Sequence, residues 1–407
     1  MPPGITNRHS GGGVNSIQQL LDLSPAEKTA RGLEHTPREI MQQPEAWRET
    51  MGVISENEAA LLDFLDTARV KREETIIVLM GAGSSEYAGW ASEEAVRRGL
   101  NTAVTIIPTT SFVTHPQDQI LKSRRYLFIH FARSGDSPES VASYERACSL
   151  VPGSHHLVIT CNPEGRLAGA AAGNRRTFLL PMPRRTNDRS LVMTSSFSSM
   201  TLAAISLAHL GNLGPFRKDV DAAAAAVQGL LGDQAEHIRR FAETLTRRIQ
   251  FLGTGNIFGS MKESRLKLLE MTDGLVAANA DTYLGVRHGP RVFIDRECLV
   301  AASLSSAPSR SRYEVDLLSD LRSAGQGSRT LVICGGPTPG LDRIADVLIP
   351  VSPSGGVTQE LRPLTDVVVG QIIGLFACLS RGLKPDAPSA RGVIGRVVEG
   401  VRIHPGP

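Results

Sequence analysis

One pattern occurs twice in this chain, about 170 residues apart, and such a repeat restricts the possible folds more than any single element does. In the first copy Thr75-Ile76-Ile77-Val78-Leu79-Met80 runs into Gly81-Ala82-Gly83-Ser84-Ser85. In the second, Ile249-Gln250-Phe251-Leu252 runs into Gly253-Thr254-Gly255. The later segments match in the same order. The apolar stretch from Tyr126 to Phe131 ends in Ala132-Arg133-Ser134, and that from Leu299 to Leu304 ends in Ser305-Ser306. His156 to Cys161 runs into Asn162-Pro163, and Arg329 to Cys334 runs into Gly335-Gly336-Pro337. Thr177 to Leu180 has its counterpart in Val347 to Ile349. Near-continuous apolar strands separated by helical stretches predict parallel sheets covered on both faces. The fold expected is therefore α/β, with two three-layer α/β/α domains and a helical N-terminal lead-in.

The expected boundaries follow from where this pattern starts and stops. Residues 1–15 are polar and glycine-rich and are expected to be disordered. Residues 16–70 form the helical lead-in, in which Thr36-Pro37-Arg38-Glu39 reads as N-cap, proline at the first helical position and acidic first turn. The first domain spans 71–215, linking helices 216–248, the second domain 249–383, and a tail rich in Pro, Gly and Arg 384–407. That tail is expected to wrap a neighbour or lie over a site.

Composition narrows the function classes. The net charge of +3 is spread along the chain without a basic block, and aromatic residues make up only 5%. Both argue against a nucleic-acid partner, which calls for a basic patch or base-stacking platforms. The five cysteines show no CxxC pair and no nearby histidine ligands, so they are expected to be buried thiols of a reducing compartment. No apolar run reaches the roughly 18 residues of a membrane span, and the amino terminus has no signal-peptide pattern. The expectation is a cytoplasmic protein with no membrane partner.

Each glycine turn joins a strand to a helix, which points backbone N–H groups and a helix dipole at an anion. A dinucleotide fingerprint would need a further glycine where Glu86 stands, and an acid at the end of the strand at Ile107. A nucleotide P-loop would need GK[ST], and neither turn has it. Instead the turns carry hydroxyls, Ser84 and Ser85 after the first strand, Ser134 and Ser137 after the third. Serines with turn amides make a cradle for a monoester phosphate, although each serine could equally be a helix cap. Ser137 in particular can cap a helix with Pro138 at its first position. In the second copy Glu263, Lys267 and Glu270 share one helical face, and His288 follows in Val286-Arg287-His288-Gly289-Pro290. Such a base, cation and histidine could converge on one small anionic ligand; the same spacing also fits a solvated ion pair.

Ala132-Arg133-Ser134-Gly135-Asp136-Ser137-Pro138-Glu139-Ser140-Val141-Ala142 resembles the phosphosugar-binding signature of the sugar isomerase (SIS) domain superfamily. The duplicated unit is similar to the paired SIS domains of glucosamine-6-phosphate synthase. Thr160-Cys161-Asn162-Pro163-Glu164-Gly165, Thr186-Asn187-Asp188-Arg189-Ser190, Met193-Thr194-Ser195-Ser196-Phe197-Ser198-Ser199-Met200 and Leu284-Gly285-Val286-Arg287-His288-Gly289-Pro290 resemble the galactosamine-6-phosphate deaminase/isomerase branch, long labelled tagatose-6-phosphate ketose/aldose isomerase. The resemblance covers nearly all of the chain after the first 15 residues.

It implies two SIS-type domains and a phosphosugar substrate, with Ser84, Ser85, Arg133, Ser134 and Ser137 around the phosphate. It implies Glu270 as the base moving a proton between C1 and C2, Lys267 beside it, and His288 assisting ring opening. In that superfamily the histidine often reaches in from a neighbouring subunit, so a homodimer or a dimer of dimers is expected. The chemistry requires neither a cofactor nor a metal. Three departures stand out. Ala132 occupies the place of a phosphate-binding serine of the synthase. Glu86 follows Ser85, where an acid would repel phosphate unless it pointed away. The synthase's carboxyl-terminal lysine has no counterpart, the last lysine here being Lys384. Besides an amino-sugar-phosphate deaminase, a fructosamine-phosphate deglycase, a plain ketose/aldose isomerase and a non-catalytic phosphosugar-binding regulator remain open at this level.

Overall fold

A computed structural model describes residues 16–71, 74–336, 340–352 and 355–404. The segment 1–15 and Pro337 lie outside the described residues. Among the described residues ten strands build two parallel five-stranded sheets. The first contains β1 (Thr75–Gly81), β2 (Ala103–Pro108), β3 (Arg125–Ala132), β4 (His155–Thr160) and β5 (Thr177–Pro181), in the order β2-β1-β3-β4-β5. The second contains β6 (Arg248–Leu252), β7 (Ala277–Asp281), β8 (Leu299–Ser303), β9 (Arg329–Cys334) and β10 (Val347–Pro350), in the order β10-β9-β8-β6-β7. Counted from its own first strand, each sheet has the same order, so the repeat seen in the sequence is a repeat of topology. Apolar runs such as Ile77–Met80 and Tyr126–Ile129 are buried along their whole length because helices cover both faces.

In both sheets the strand order reverses between the first and third strands, β1 and β3 or β6 and β8. The connections from those two strands leave toward opposite faces, which opens a crevice at the strands' carboxyl ends. The two sheets are joined through helices. Helix Asn256–Met271, which follows β6, packs on helix Ser84–Leu100, which follows β1. They approach closely at Gly259, where an added Cβ would lie 2.4 Å from the amide nitrogen of Ala91. Helix Arg362–Leu379 also packs on Asn256–Met271. It is long and apolar enough to cross a membrane by length and composition, and 94% of that stretch is buried inside the protein.

The N-terminal region forms five helices, Ser16–Leu21, Pro25–Arg31, Thr36–Met41, Gln43–Glu56 and Glu58–Thr67. The expected Thr36 N-cap is corrected here. Thr36 is the first helical residue, and the cap comes from the far end of the chain. The Asp386 carboxylate accepts from the amides of Glu34 (2.7 Å), His35 (3.0 Å) and Thr36 (2.7 Å). Helix Ser195–Ser206 is buried at all twelve positions despite its many hydroxyls. Some hydroxyls bond within the helix, as where Thr201 donates to the Phe197 carbonyl (2.9 Å) and Ser206 to the Leu202 carbonyl (2.8 Å). Others reach Asp188 and Gln43, while Ser199 Oγ has no partner among the described residues.

Candidate active site

The turn after β1 is tight. Gly83 has φ +55° and ψ −127°, a conformation open in practice only to glycine. Helix Ser84–Leu100 starts at the next residue, so Ser84 and Ser85 sit in its first turn, both buried. After the neighbouring strand β3, Ser137 caps helix Pro138–Leu150 and its hydroxyl lies 2.7 Å from that of Ser140. Ser134 Oγ accepts from the Asp136 amide at 3.2 Å. The two serine pairs thus flank the switch point of the first sheet, as their positions in the sequence imply.

The packing of helix Asn256–Met271 against helix Ser84–Leu100 delivers a charged cluster to the same crevice. Lys267 Nζ lies 3.3 Å from Glu263 Oε1, and it is also ion-paired with Glu270 Oε2. Glu263 and Lys267 are 0% exposed, whereas the Glu270 side chain keeps 21% exposure. The solvated-pair alternative is therefore excluded. Ser84 completes the cluster, its hydroxyl donating to Glu263 Oε1 (2.9 Å) and accepting from Lys267 Nζ (3.1 Å). Burial pushes the Glu263 carboxyl up to about 7, with Lys267 opposing and Glu270 adding to the rise. For Lys267, burial pulls the ammonium down, but the carboxylates of Glu263 and Glu270 outweigh it and leave it above its ordinary value. One permanent cation therefore sits between a buried carboxyl that titrates near neutrality and a carboxylate that meets solvent.

Several expected site residues are placed differently from the simplest picture. The Ser84 hydroxyl serves the charged cluster, leaving Ser85, Ser134 and Ser137 with the turn amides for an anion. Among the described residues Ser85 Oγ makes no hydrogen bond. Arg133 is buried, and its Nη1 donates to the carbonyls of Ser190 (3.3 Å) and Leu191 (2.9 Å) while Nη2 donates to that of Arg396. Its guanidinium thus clamps a loop and the tail. Burial lowers it from its ordinary value, as does the nearby Arg396, against the pull of Asp188 and Glu270. His288 lies exposed on the turn Gly285–His288, and no hydrogen bond joins it to Glu270 or Lys267. That turn is anchored by the Arg287–Asp320 ion pair (2.7 Å) and by Tyr283, whose hydroxyl donates to the Ser303 carbonyl (2.9 Å). Glu86 points away from the crevice, accepting from Trp90 Nε1 at 3.2 Å along its own helix.

Two supporting groups carried no site reading in the sequence, where Glu39 was read only as the acid of a helix's first turn. Asp188 accepts from the amides of Thr194 (2.7 Å) and Ser196 (2.9 Å), capping helix Ser195–Ser206 with a carboxylate seven residues upstream of it. Glu39, from the lead-in, accepts from the amide of Arg189 at 2.5 Å; burial and the adjacent Asp188 push its carboxyl up to about 7. Together they fix the loop whose carbonyls hold Arg133. The tail does cross its own chain here. Arg396 donates to the Asp188 carbonyl (2.9 Å) and to Asn187 Oδ1 (2.7 Å). The signal in the sequence was the motif containing Asn187 and Asp188; its partners are too far along the chain to be inferred from it.

No family model matches the chain. Known proteins do. The D-galactosamine-6-phosphate deaminase AgaS of Escherichia coli is 36% identical over 372 residues, covering 91% of this chain and 95% of that protein. A Streptomyces coelicolor protein, provisionally named as the same deaminase, is 38% identical over 385 residues, with the same coverage. The crystal structure of tagatose-6-phosphate ketose/aldose isomerase from Escherichia coli superposes with a TM-score of 0.82 at 34% identity, covering 91% of this chain and 96% of that one. With more than a third of the aligned residues identical over about nine-tenths of its length, the chain belongs to the AgaS family of D-galactosamine-6-phosphate deaminases.

Proposed function

We propose that the protein converts galactosamine 6-phosphate, or a similar 2-amino-2-deoxyhexose 6-phosphate, to a ketohexose 6-phosphate and ammonia. The observation that carries this reading is the Glu263–Lys267–Glu270 cluster, tied through Ser84 to the glycine turn of a crevice lined by Ser85, Ser134 and Ser137. The phosphate is held by those serines and turn amides, which fixes the sugar chain relative to Glu270. Once the ring is open, the Glu270 carboxylate takes the proton from C2, and the electron pair moves toward C1 to give an enaminol. Return of the proton to C1 leaves an imine at C2. Water adds to that carbon, and the resulting carbinolamine expels ammonia to leave the ketone. Lys267 holds Glu270 in place and offers positive charge to the oxygen at C1 as charge develops there.

His288 serves ring opening by moving a proton between the ring oxygen and O1. Its exposure, with no link to Glu270 in its own chain, supports a homodimer in which it enters the partner's crevice. Purified protein given galactosamine 6-phosphate should release ammonia and ketose in equal amounts. Ketose exchange with an aldose phosphate, without ammonia from any amino sugar, would instead indicate a plain isomerase.

A further inference from the structure

The second sheet repeats the crevice of the first, glycine turn included. Gly255 has φ +62° and ψ −135°, close to the φ +55° and ψ −127° of Gly83. What lies over the two turns differs. A Cβ added at Gly83 would meet only Leu266 Cδ2, at 3.7 Å, whereas one at Gly255 would lie 2.5 Å from both Arg310 Nη1 and Glu94 Oε1. That Arg310–Glu94 pair, 3.2 Å apart, covers the second turn. Across the crevice, Ser305 stands two residues beyond β8 as Ser134 stands two beyond β3. The Ser305 amide donates to Glu314 Oε2 and the Ser305 hydroxyl to Glu314 Oε1, both at 2.7 Å. Glu314 is buried on helix Pro308–Ser323, where the matching position of helix Pro138–Leu150 is Tyr144. The next amide, that of Ser306, is taken by Gln359 Oε1 (2.7 Å), and Ser306 Oγ accepts from Arg362 Nη1 (3.2 Å). Among the described residues no side-chain carboxylate hydrogen-bonds Ser134, whose hydroxyl accepts from the Asp136 amide.

We propose that the second crevice is filled by the chain's own carboxylate: Glu314 occupies on Ser305 the place a ligand phosphate takes on Ser134, so each chain holds one sugar phosphate. An amide and a hydroxyl converging on two oxygens of one anion is the geometry a phosphate monoester uses. The duplicated unit thereby keeps the fold-level anion site as a structural lock that fastens helix Pro308–Ser323 to the end of β8. The count of one sugar per chain rests on the function proposed above; the occupancy of the second crevice does not.

Two measurements test the proposal. Calorimetric titration of the wild-type protein with a hexitol 6-phosphate, which cannot react, should give one site per chain; two sites would overturn it. No binding at all would count against the proposed function and leave the decision to the second measurement. Glu314→Ala should melt roughly 3–8 °C below wild type in a phosphate-free buffer, because it strands a buried amide and hydroxyl. Inorganic phosphate at tens of millimolar should recover about half of that loss while raising the wild type far less. Equal gains in both proteins, or no loss in the variant, would overturn the assignment. If the alanine variant fails to fold, Glu314→Gln keeps the shape without the charge. It should melt below wild type with no phosphate gain beyond that of the wild type, and an unchanged midpoint would count against the lock.

Discussion

At the scale of residues, the site depends on one ammonium shared by two carboxyls in unequal surroundings. Glu263 sees no solvent and is pushed up to about 7, while Glu270 remains reachable from the crevice. The folded state therefore holds a proton on Glu263 between about pH 4.5 and 7 that the unfolded chain has already lost. Its contribution to stability is fully present below the unfolded value and is lost as pH rises through the folded one. Glu263→Gln removes that titration, so its melting midpoint should fall less than that of wild type between pH 5 and 7.5; identical slopes would contradict the burial argument. The spacing of Glu263, Lys267 and Glu270 was legible in the sequence, but their burial was not. Ser84 was read as a phosphate ligand from its hydroxyl at a strand end, and Arg133 was placed there by the family resemblance. In the structure the donors of Arg133 are taken by carbonyls 58 and 263 residues away, contacts that no local pattern encodes.

At the scale of elements, most strands were visible as apolar runs because a covered parallel sheet demands them. β7 was not. Ala277-Ala278-Asn279-Ala280-Asp281 is an edge strand paired only with β6 and partly exposed throughout, so small and polar residues suffice. Helix Pro308–Ser323 was also missed, its arginines and serines masking the apolar stripe of Leu317, Leu318 and Leu321. The contact that builds the site depends on a residue outside it. Gly259 lets two helices touch, and any side chain there must push against the Ala91 backbone, which cannot give way. Gly259→Val should cost about 1–3 kcal/mol by overpacking. It should also cut turnover more than about tenfold by moving Lys267 away from Ser84. Full turnover in a destabilised Gly259→Val would show that the helix spacing does not set the geometry of the cluster.

For the whole molecule, the tail ties distant parts together. Asp386 caps the lead-in, Arg391 pairs with Asp273 (3.8 Å) beyond helix Asn256–Met271, and Arg396 is bound to the loop at Asp188. The tail lies against its own chain beside Arg133, whose Nη2 donates to the Arg396 carbonyl. His288 is the part that its own chain leaves unused. If it acts in the partner's crevice, Glu270→Gln and His288→Ala damage different halves of one shared site. Mixing the two inactive variants under conditions of subunit exchange should then restore about a quarter of wild-type activity, through hybrids with one intact site. A mixture as inactive as its components would place both residues in one chain's site.

In the proposed reaction Glu270 moves the proton between C2 and C1, and isotope exchange at C2 reports that step. Wild-type protein with an amino-sugar 6-phosphate in deuterated water should exchange the C2 proton and release ammonia. Glu270→Gln should keep the melting midpoint and the affinity for a hexitol 6-phosphate while losing exchange and turnover by about 10²–10⁴-fold, the usual range for a general base. Exchange at near wild-type rate in a folded Glu270→Gln would contradict the account.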